Sequence, residues 1–183
     1  MKIAKIRKVK TPVRAYSTTA GIDFFIPEDI PIEYMEQKNE SLFIKSKMQS
    51  SMHRIQADTF ISINNILTGI YLQPGDNVLI PSGIKANIPA GYALIARNKS
   101  GVASKLGLTV MADVVDSDYQ GEIHLSVCNV TNTPCYVNAG DKLIQYVLIK
   151  ISDEMVEVVD EALLFEGKTT ERGSGGFGST GQK

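Results

Sequence analysis

The sequence predicts an all-β fold of the sandwich or barrel type, because short strand-like runs alternate with turn-forming sequences. Residues Ile84 to Ile88 and Ile123 to Val127 alternate apolar and polar side chains, which is the period of a half-buried strand. The runs are separated by sequences that readily form turns: Pro74-Gly75-Asp76, Pro81-Ser82-Gly83, Pro89-Ala90-Gly91 and Asn138-Ala139-Gly140-Asp141. Many short strands at this spacing are typical of sandwiches and barrels.

Two segments depart from the alternating pattern in ways that predict their surroundings. The run Leu143 to Ile151 is apolar apart from Gln145 and Lys150, which predicts a strand covered on both faces, as at a subunit interface. Residues Ser100 to Leu108 instead predict a short helical turn. A single domain is expected from the length of 183 residues, of which 43% are hydrophobic.

A third segment, about Glu28 to Thr68, interrupts the rhythm of turns and is predicted to be an inserted arm. Two apolar runs, Ser41 to Ile44 and Phe60 to Ile63, flank a polar stretch and predict a hairpin with an exposed tip. We expect the arm to lie outside the core and to be dispensable for activity. Two roles stay open for it, a lineage-specific decoration or a surface for a regulatory protein partner.

Charge and composition exclude several classes of function. A formal net charge of −1 offers no basic excess for nucleic acid, and no stretch reaches the ~18 apolar residues of a membrane span. The basic start, Met1 to Arg7, lacks the apolar core of a secretory leader, so we expect a cytoplasmic protein, or one of the host cytoplasm if it is virus-encoded. Cys128 and Cys135 have no histidine at ligand spacing and are predicted to be reduced, structural thiols.

Five polar segments between the strands carry the residues expected to do chemistry. Glycine turns, carboxylates, cations and hydroxyls suit phosphate and metal binding, and a short helix start can hold phosphate oxygens. The segments are Ala20-Gly21-Ile22-Asp23, Lys99-Ser100-Gly101-Val102-Ala103-Ser104-Lys105, Asp116-Ser117-Asp118-Tyr119-Gln120-Gly121, Gly140-Asp141-Lys142-Leu143-Ile144-Gln145, and the tail from Glu171 to Gly181.

In this order and spacing, the five segments resemble the signature motifs of the trimeric dUTPase family. The resemblance implies a jelly-roll or barrel-like β domain over 1–168, a flexible C-terminal lid over 169–183, and a homotrimer with sites shared between subunits. It also implies hydrolysis of dUTP to dUMP and pyrophosphate by water attack on the α-phosphorus, with Mg²⁺ as cofactor. Such an enzyme keeps uracil out of DNA and supplies dUMP for dTMP synthesis.

The resemblance also implies a role for each matching residue. Asp116 would orient and deprotonate the attacking water, and Arg172 would stabilise charge on the γ-phosphate. The remaining residues would contact dUTP: Lys99, Ser100, Gly101 and Gln145 at the phosphates, Tyr119 beneath the deoxyribose, and Phe177, Gly178, Ser179 and Thr180 from the tail, with Phe177 over uracil. Asp23 would hold Mg²⁺ through water, although Asp23 and Asp118 can equally be structural. Gly101 and Gly107 can be required by backbone geometry alone.

Two positions depart from the family pattern. Lys99 stands where the second motif usually has arginine, which replaces a bidentate fork by a point charge that Arg97 could supplement. Asp113 stands where many relatives have glycine beside the uracil pocket.

Two alternative functions remain open at this stage. A dCTP deaminase shares the fold class and would need a catalytic carboxylate on the strand after the Tyr119 hairpin, where Glu122 is the only candidate. A non-catalytic binding protein could use the same scaffold, although an intact Asp116 and an intact tail argue against that reading.

Overall fold

The computed structural model describes residues 1–49, 59–152 and 154–175, with the backbone alone for 41–49. The chain divides into a compact unit, Met1–Ile151, and a second unit, Ser152–Lys183. The compact unit therefore ends at Ile151, whereas the sequence places the boundary at residue 168. No helix of the described residues is long and apolar enough to span a membrane.

The compact unit is built from short antiparallel strands, which confirms the all-β prediction. Strand β1 (Lys2–Lys5) pairs with β6 (Ile84–Asn87). One sheet has the order β5 (Asn77–Pro81), β10 (His124–Asn129), β8 (Leu108–Val110). Another has the order β11 (Cys135–Asn138), β4 (Ile66–Leu72), β3 (Phe60–Ile63). The largest has the order β2 (Gly21–Phe25), β12 (Lys142–Lys150), β7 (Tyr92–Asn98), β9 (Val114–Val115).

Helices are few: α1 (Ile32–Gln49), α2 (Ser100–Leu106) and a 3-10 turn at Glu161–Leu163 in the second unit. The helix predicted at Ser100 is therefore confirmed. Both cysteines are free thiols, as predicted, and burial raises the pKa of each.

The core follows from the period of two in the strands. Along β10, Leu125 and Val127 are buried while Ser126 and Cys128 are partly exposed, as the alternation predicts. The ring of Tyr146 on β12 packs against Phe24 on β2, with the ring centroids 4.6 Å apart. Alternation therefore fixes which face of each strand reaches the core.

The predicted arm is not outside the core, and its predicted first strand is a helix. Residues 41–44 belong to α1, not to a strand, so the hairpin prediction is wrong there. Ile30, Met35 and Leu67 are almost fully buried and belong to the main core cluster. A short apolar run cannot distinguish strand from helix by period alone, which explains the error. The tip predicted at 50–58 lies outside the described residues.

Helix α1 is attached to the edge of a sheet by one buried side chain. Asn39 is 1% exposed; its Nδ2 donates to the Leu79 carbonyl at 3.0 Å, and its Oδ1 accepts from the Leu79 N–H at 2.8 Å. These are the two backbone groups that a neighbouring strand would pair at the edge strand β5. The helix thus protects a sheet edge, which the sequence pattern does not predict.

The second half of the arm does form the predicted strand. β3 pairs with β4 through a two-residue turn in which Asn64 and Asn65 have positive φ angles of 52° and 63°. A tight hairpin of this kind needs left-handed backbone at both central residues, and asparagine tolerates it better than most side chains.

Met35→Ala is expected to lower the free energy of unfolding by about 2–5 kcal/mol, because truncating a buried methionine leaves a cavity. Met35 is 0% exposed. Urea unfolding at one fixed protein concentration measures the change. Met155→Ala, at a methionine that is 92% exposed, is the matched control and should leave the unfolding midpoint nearly unchanged. Equal midpoints for the two variants would mean that α1 contributes nothing to the core.

Candidate active site

Several predicted substrate-contacting residues meet where β7 leads into α2. Gln145, on β12, donates from Nε2 to the carbonyl of Asn98 at 2.8 Å. Asn98 is the last residue of β7, and Lys99, Ser100 and Gly101 follow it directly. The sheet register therefore brings the amide of the fourth motif beside the second motif.

The first turn of α2 is open to an external acceptor. Lys99 at the N-cap makes no capping hydrogen bond with its side chain, and Ser100 and Gly101 are exposed. A Cβ built at Gly101 would meet nothing within 4 Å, so the packing of this chain does not require glycine there. Gly107 is different, because its φ is 64° and a Cβ would lie 1.8 Å from Thr131 Cγ2, so backbone geometry alone demands it.

Asp23 is a buried carboxylate held between two lysines. It lies opposite Gln145 in the β2–β12 pairing, and its side chain is 6% exposed. One oxygen is paired with Lys99 Nζ and the other lies 3.4 Å from Lys142 Nζ. Two ammonium groups and one carboxylate leave one net positive charge beside the start of α2, which favours an anionic ligand. Asp23 therefore positions Lys99, the lysine that replaces the usual arginine.

The described residues do not fit a protein-only metal site. They include no cluster of three or more His, Cys, Asp or Glu side chains that could hold an ion. Both oxygens of Asp23 face ammonium groups, and the contact to magnesium through water that the resemblance implies for Asp23 stays a prediction. A magnesium ion at this place would take its oxygen ligands from the substrate and from water.

The third motif forms an exposed turn with a free carboxylate. The N–H of Tyr119 donates to the carbonyl of Asp116 at 3.3 Å, which closes the turn. Asp116 and Asp118 are both exposed. Within the described ranges neither carboxylate makes a hydrogen bond or an ion pair, so the Asp116 oxygens are available to water or a ligand.

The ring of Tyr119 is folded back over the chain that follows it. Its hydroxyl donates to the carbonyl of Glu122 at 2.9 Å. A Cβ at Gly121 would lie 2.3 Å from that hydroxyl oxygen, so only glycine permits this ring position. Tyr119 remains 44% exposed, so part of the residue is accessible to a ligand.

Both carboxylate oxygens of Glu122 make contacts that support the fold. Its two oxygens accept from Arg7 at 2.8 and 3.0 Å, and one also accepts from the Gly83 N–H at 2.7 Å. The side chain is 8% exposed, and its hydrogen bond raises the pKa of Arg7. Arg7 also lies over the ring of Tyr34 on α1, 4.5 Å from its centroid. This network joins the N-terminal segment, α1 and the end of the third-motif hairpin.

A cavity of about 290 Å³ opens beside the catalytic candidates. Its lining includes Asp116, Tyr119, His124, Tyr146 and Leu79. The hydroxyl of Tyr146 donates to the His124 carbonyl at 3.0 Å, and burial raises the pKa of Tyr146. His124 is the first residue of β10 and follows the third motif closely.

The two groups of site residues lie apart within one chain. In the antiparallel pairing of β7 with β9, Leu94 lies opposite Val115. The next residue after Val115 is Asp116, which therefore lies at about the height of Ala93 along β7. Lys99 comes six residues after Ala93 along the extended chain. At ~3.3 Å per residue, Lys99 lies about 20 Å along the strand from the height of Asp116. One chain alone therefore does not bring Asp116 to Ser100.

The departure at Asp113 is linked to Arg97. Arg97 Nη1 lies 3.3 Å from Asp113 Oδ2, and both side chains are about half exposed, at 53% and 50%. The backbone of Asp113 also accepts from the Ala96 N–H at 2.6 Å. An exposed ion pair of this kind is weak, so Arg97 remains available for the phosphate contact predicted for it.

In the second unit, Arg172 is exposed and its Nε donates to the carbonyl of Gly175 at 2.7 Å. The guanidinium keeps its remaining donors for other acceptors. The predicted contacts of Phe177, Gly178, Ser179 and Thr180 concern residues outside the described part of the chain.

Comparisons with known proteins agree on one family. The sequence model of the dUTPase family matches residues 66–181. The deoxyuridine 5′-triphosphate nucleotidohydrolase of Bdellovibrio bacteriovorus is 40% identical over 115 residues, which cover 62% of this chain and 74% of that protein. The enzyme of the same name from Chlamydia pneumoniae is 42% identical over 119 residues, covering 64% of this chain and 79% of that protein.

Solved structures agree at the level of the fold. A mutant dUTPase of Staphylococcus bacteriophage 80alpha with dUpNHpp has a TM-score of 0.69 at 19% identity, covering 98% of this chain and 97% of that chain. A mutant dUTPase of phage phi11, a structure that describes the coordination of a structural Mg(II) ion, has a TM-score of 0.60 at 19% identity. It covers 87% of this chain and 96% of that chain.

Proposed function

Because this chain belongs to the dUTPase family, we propose that its motif residues act on dUTP at sites shared between subunits. The enzyme hydrolyses dUTP to dUMP and pyrophosphate. The observation that carries the assignment of the base is Asp116, an exposed carboxylate without a partner in the described residues, beside Tyr119 at the mouth of a cavity.

The proposed reaction is in-line attack of a water on the α-phosphorus. Asp116 orients the water and accepts its proton, and the bond between the α-phosphorus and the bridging oxygen breaks as pyrophosphate leaves. Ser100 and the backbone N–H groups of the first turn of α2 hold phosphate oxygens. Lys99, held by Asp23, supplies a fixed positive charge, and Gln145 and Gly101 complete the phosphate contacts.

Tyr119 sets the choice of sugar in this proposal. Its ring is fixed over Gly121 by the hydrogen bond to Glu122, so it presents a rigid face to the deoxyribose. A 2′-hydroxyl against that face would lose its hydrogen bonds to water without replacement, and UTP is rejected for that reason.

The tail supplies the remaining contacts in the proposal. Arg172 places a guanidinium on the γ-phosphate, where a fork of donors matches phosphate oxygens. Phe177 stacks on uracil, and Gly178, Ser179 and Thr180 contact the phosphates. Ordering the tail over dUTP excludes water from the reacting groups.

Magnesium is proposed to arrive with the nucleotide. Mg²⁺ usually keeps several waters and takes other oxygens from substrate phosphates, where it neutralises charge. This fits a chain whose described residues offer no cluster of metal-ligating side chains and whose Asp23 is already paired with Lys99 and Lys142.

A homotrimer with shared sites accounts for the separation of the half-sites. One half-site contains Ser100, Lys99 and Gln145, and the other contains Asp116 and Tyr119, about 20 Å along the sheet. In a ring of subunits with head-to-tail contacts, the first half-site of each subunit lies against the second half-site of its neighbour.

Mixed oligomers of two inactive variants are expected to regain activity if the sites are shared. Asp116→Asn removes the base, and Ser100→Asp places a negative charge against the phosphates while suiting a helix start. In an equal random mixture, about a quarter of the shared sites carry both wild-type halves, so the mixture should show about a quarter of wild-type turnover. Pyrophosphate release before and after joint refolding measures this. The double variant on one chain is the control, and a mixture as inactive as that control would refute shared sites.

Pyrophosphate release from dUTP, dTTP, UTP and dCTP with magnesium tests the overall proposal, and a preference for any nucleotide other than dUTP would contradict it. Release of ammonia from dCTP would favour the deaminase instead. That alternative is disfavoured because Glu122, its only candidate carboxylate, is buried against Arg7 and Gly83. A regulatory partner for the arm stays a prediction.

A further inference from the structure

The side chain of Tyr119 makes one hydrogen bond within the described residues, and its acceptor is the backbone carbonyl of Glu122. The hydroxyl donates to that carbonyl at 2.9 Å. The N–H of the same peptide group belongs to Ile123 and donates to the Ile84 carbonyl at 2.9 Å. Because Tyr119 lies in an exposed turn, the position of its ring depends on how firmly Glu122 is held.

Glu122 is held by a bidentate ion pair with Arg7. Nε and Nη2 of Arg7 donate to the two carboxylate oxygens, and the Gly83 N–H donates to one of them at 2.7 Å. A planar fork on a carboxylate fixes the orientation of both groups. Gly83 has a φ of 71°, and a Cβ there would lie 3.0 Å from Arg7 Cβ. Glycine at this turn therefore lets Arg7 approach Glu122.

Arg7 is held from its other side by helix α1. Its guanidinium carbon lies 4.5 Å from the centroid of the Tyr34 ring, within the range of a cation–π contact. The side chain of Arg7 is 16% exposed, so little water competes for this contact. A continuous series of contacts thus leads from the arm through Arg7 and Glu122 to Tyr119.

Stability alone does not account for an ion pair at this place. The side chains of Arg7 and Glu122 are only 16% and 8% exposed, so both charges have lost most of their water. Replacing such a pair by apolar side chains is often neutral or even stabilising. What an apolar pair would not supply is a fixed direction for the Glu122 residue, on which the Tyr119 hydroxyl depends.

We propose that Arg7 is a positioning residue: it orients Glu122, Glu122 orients the ring of Tyr119, and the preference for dUTP over UTP depends on this series of contacts. Tyr34 begins the series, so the arm contributes to the choice of substrate. The proposal rests on the proposed function, in which Tyr119 sets the choice of sugar.

The test compares the KM of dUTP with the inhibition constant of UTP. The two nucleotides differ only by the 2′-hydroxyl, so effects on the base and the phosphates cancel in the ratio. Arg7→Gln should lower the preference for dUTP by about 2–10-fold, the effect of losing one hydrogen bond. Arg7→Lys keeps the charge without the fork and should lie between Arg7→Gln and the wild type. Lys8→Gln is the control, because Lys8 is 74% exposed and pairs with Glu28 instead.

Two variants of Tyr34 test the part of the arm. Tyr34→Phe keeps the aromatic face beneath Arg7 and should retain the wild-type preference. Tyr34→Leu keeps apolar bulk but removes that face, so the preference should fall, by less than in Arg7→Gln. Should Arg7→Gln fail to fold, Arg7→Lys and Tyr34→Leu carry the same test.

A double-mutant cycle separates positioning from a general structural role. Tyr119→Phe lacks the hydroxyl that reaches Glu122. In that background Arg7→Gln should have little further effect on the preference, because the contact through which Arg7 acts is already gone. An equal effect of Arg7→Gln in both backgrounds would overturn the proposal.

The remaining outcomes distinguish this proposal from the general one. A wild-type protein without dUTP turnover would overturn the proposed function itself. If the wild type hydrolyses dUTP but the Arg7 variants, as folded oligomers, keep the wild-type preference, the positioning role of Arg7 is wrong while the enzyme activity stands. A wild-type preference in Tyr34→Leu would overturn the part assigned to α1.

Discussion

Asp116→Asn is expected to lower kcat for dUTP by about 10²-fold or more while folding and nucleotide binding persist. The asparagine amide has nearly the same shape but cannot take a proton from water. Asp116 is exposed and has no partner within the described residues, so its replacement breaks no contact that supports the fold. Single-turnover pyrophosphate release measures the chemical step, and calorimetry with dUTP measures binding.

Asp118→Asn is the matched control for this result. Asp118 belongs to the same turn, is equally exposed and is likewise unpaired in the described residues. We expect Asp118→Asn to keep most of the turnover. The loss of turnover in Asp116→Asn should come from removal of the general base, and not from the lower negative charge of the turn. Similar losses in both variants would indicate a general electrostatic effect, and near-wild-type turnover of Asp116→Asn would contradict its role.

Truncation after Glu171 is expected to reduce turnover by about 10³-fold or more, because an arginine on the transferring phosphates can contribute that much in phosphoryl chemistry. The truncation also removes Phe177, Ser179 and Thr180. The compact unit ends at Ile151, so the core and its sheets do not include the deleted residues. Steady-state dUTP hydrolysis and sedimentation measure activity and assembly.

A shorter truncation gives the control. Removing only Gln182 and Lys183 leaves the whole glycine-rich motif, and this variant should retain its activity. Arg172→Lys, which keeps the charge but loses the planar fork, is expected to fall between the two truncations. A protein truncated after Glu171 that hydrolyses dUTP at the full-length rate would disprove the lid.

Much of the fold could be predicted because strand alternation and turn chemistry are local. The alternation at Ile123 to Val127 and the helix start at Ser100 needed only neighbouring residues to be read. Helix α1 could not be predicted in this way. Its decisive contact is Asn39 with the backbone of Leu79, forty positions away, and no local pattern indicates that an amide completes a sheet edge.

The same limit applies to the site. The family resemblance made Asp116 and Arg172 candidates, and it left Asp23 either as a holder of magnesium through water or as a structural residue. Only the register of β2, β12 and β7 shows that Asp23 lies between Lys99 and Lys142.

The sequence by itself determined the family and the reaction, and it predicted the residues that perform it, because the motifs are contiguous and their chemistry belongs to the side chains. Only the tertiary structure decided which of them meet. Pairing between distant strands gathers Gln145 beside Lys99 and leaves Asp116 about 20 Å along the sheet from them. Register is set by long-range pairing and burial, which no segment encodes alone, and the separation that it creates is the reason we propose a second subunit to complete the site.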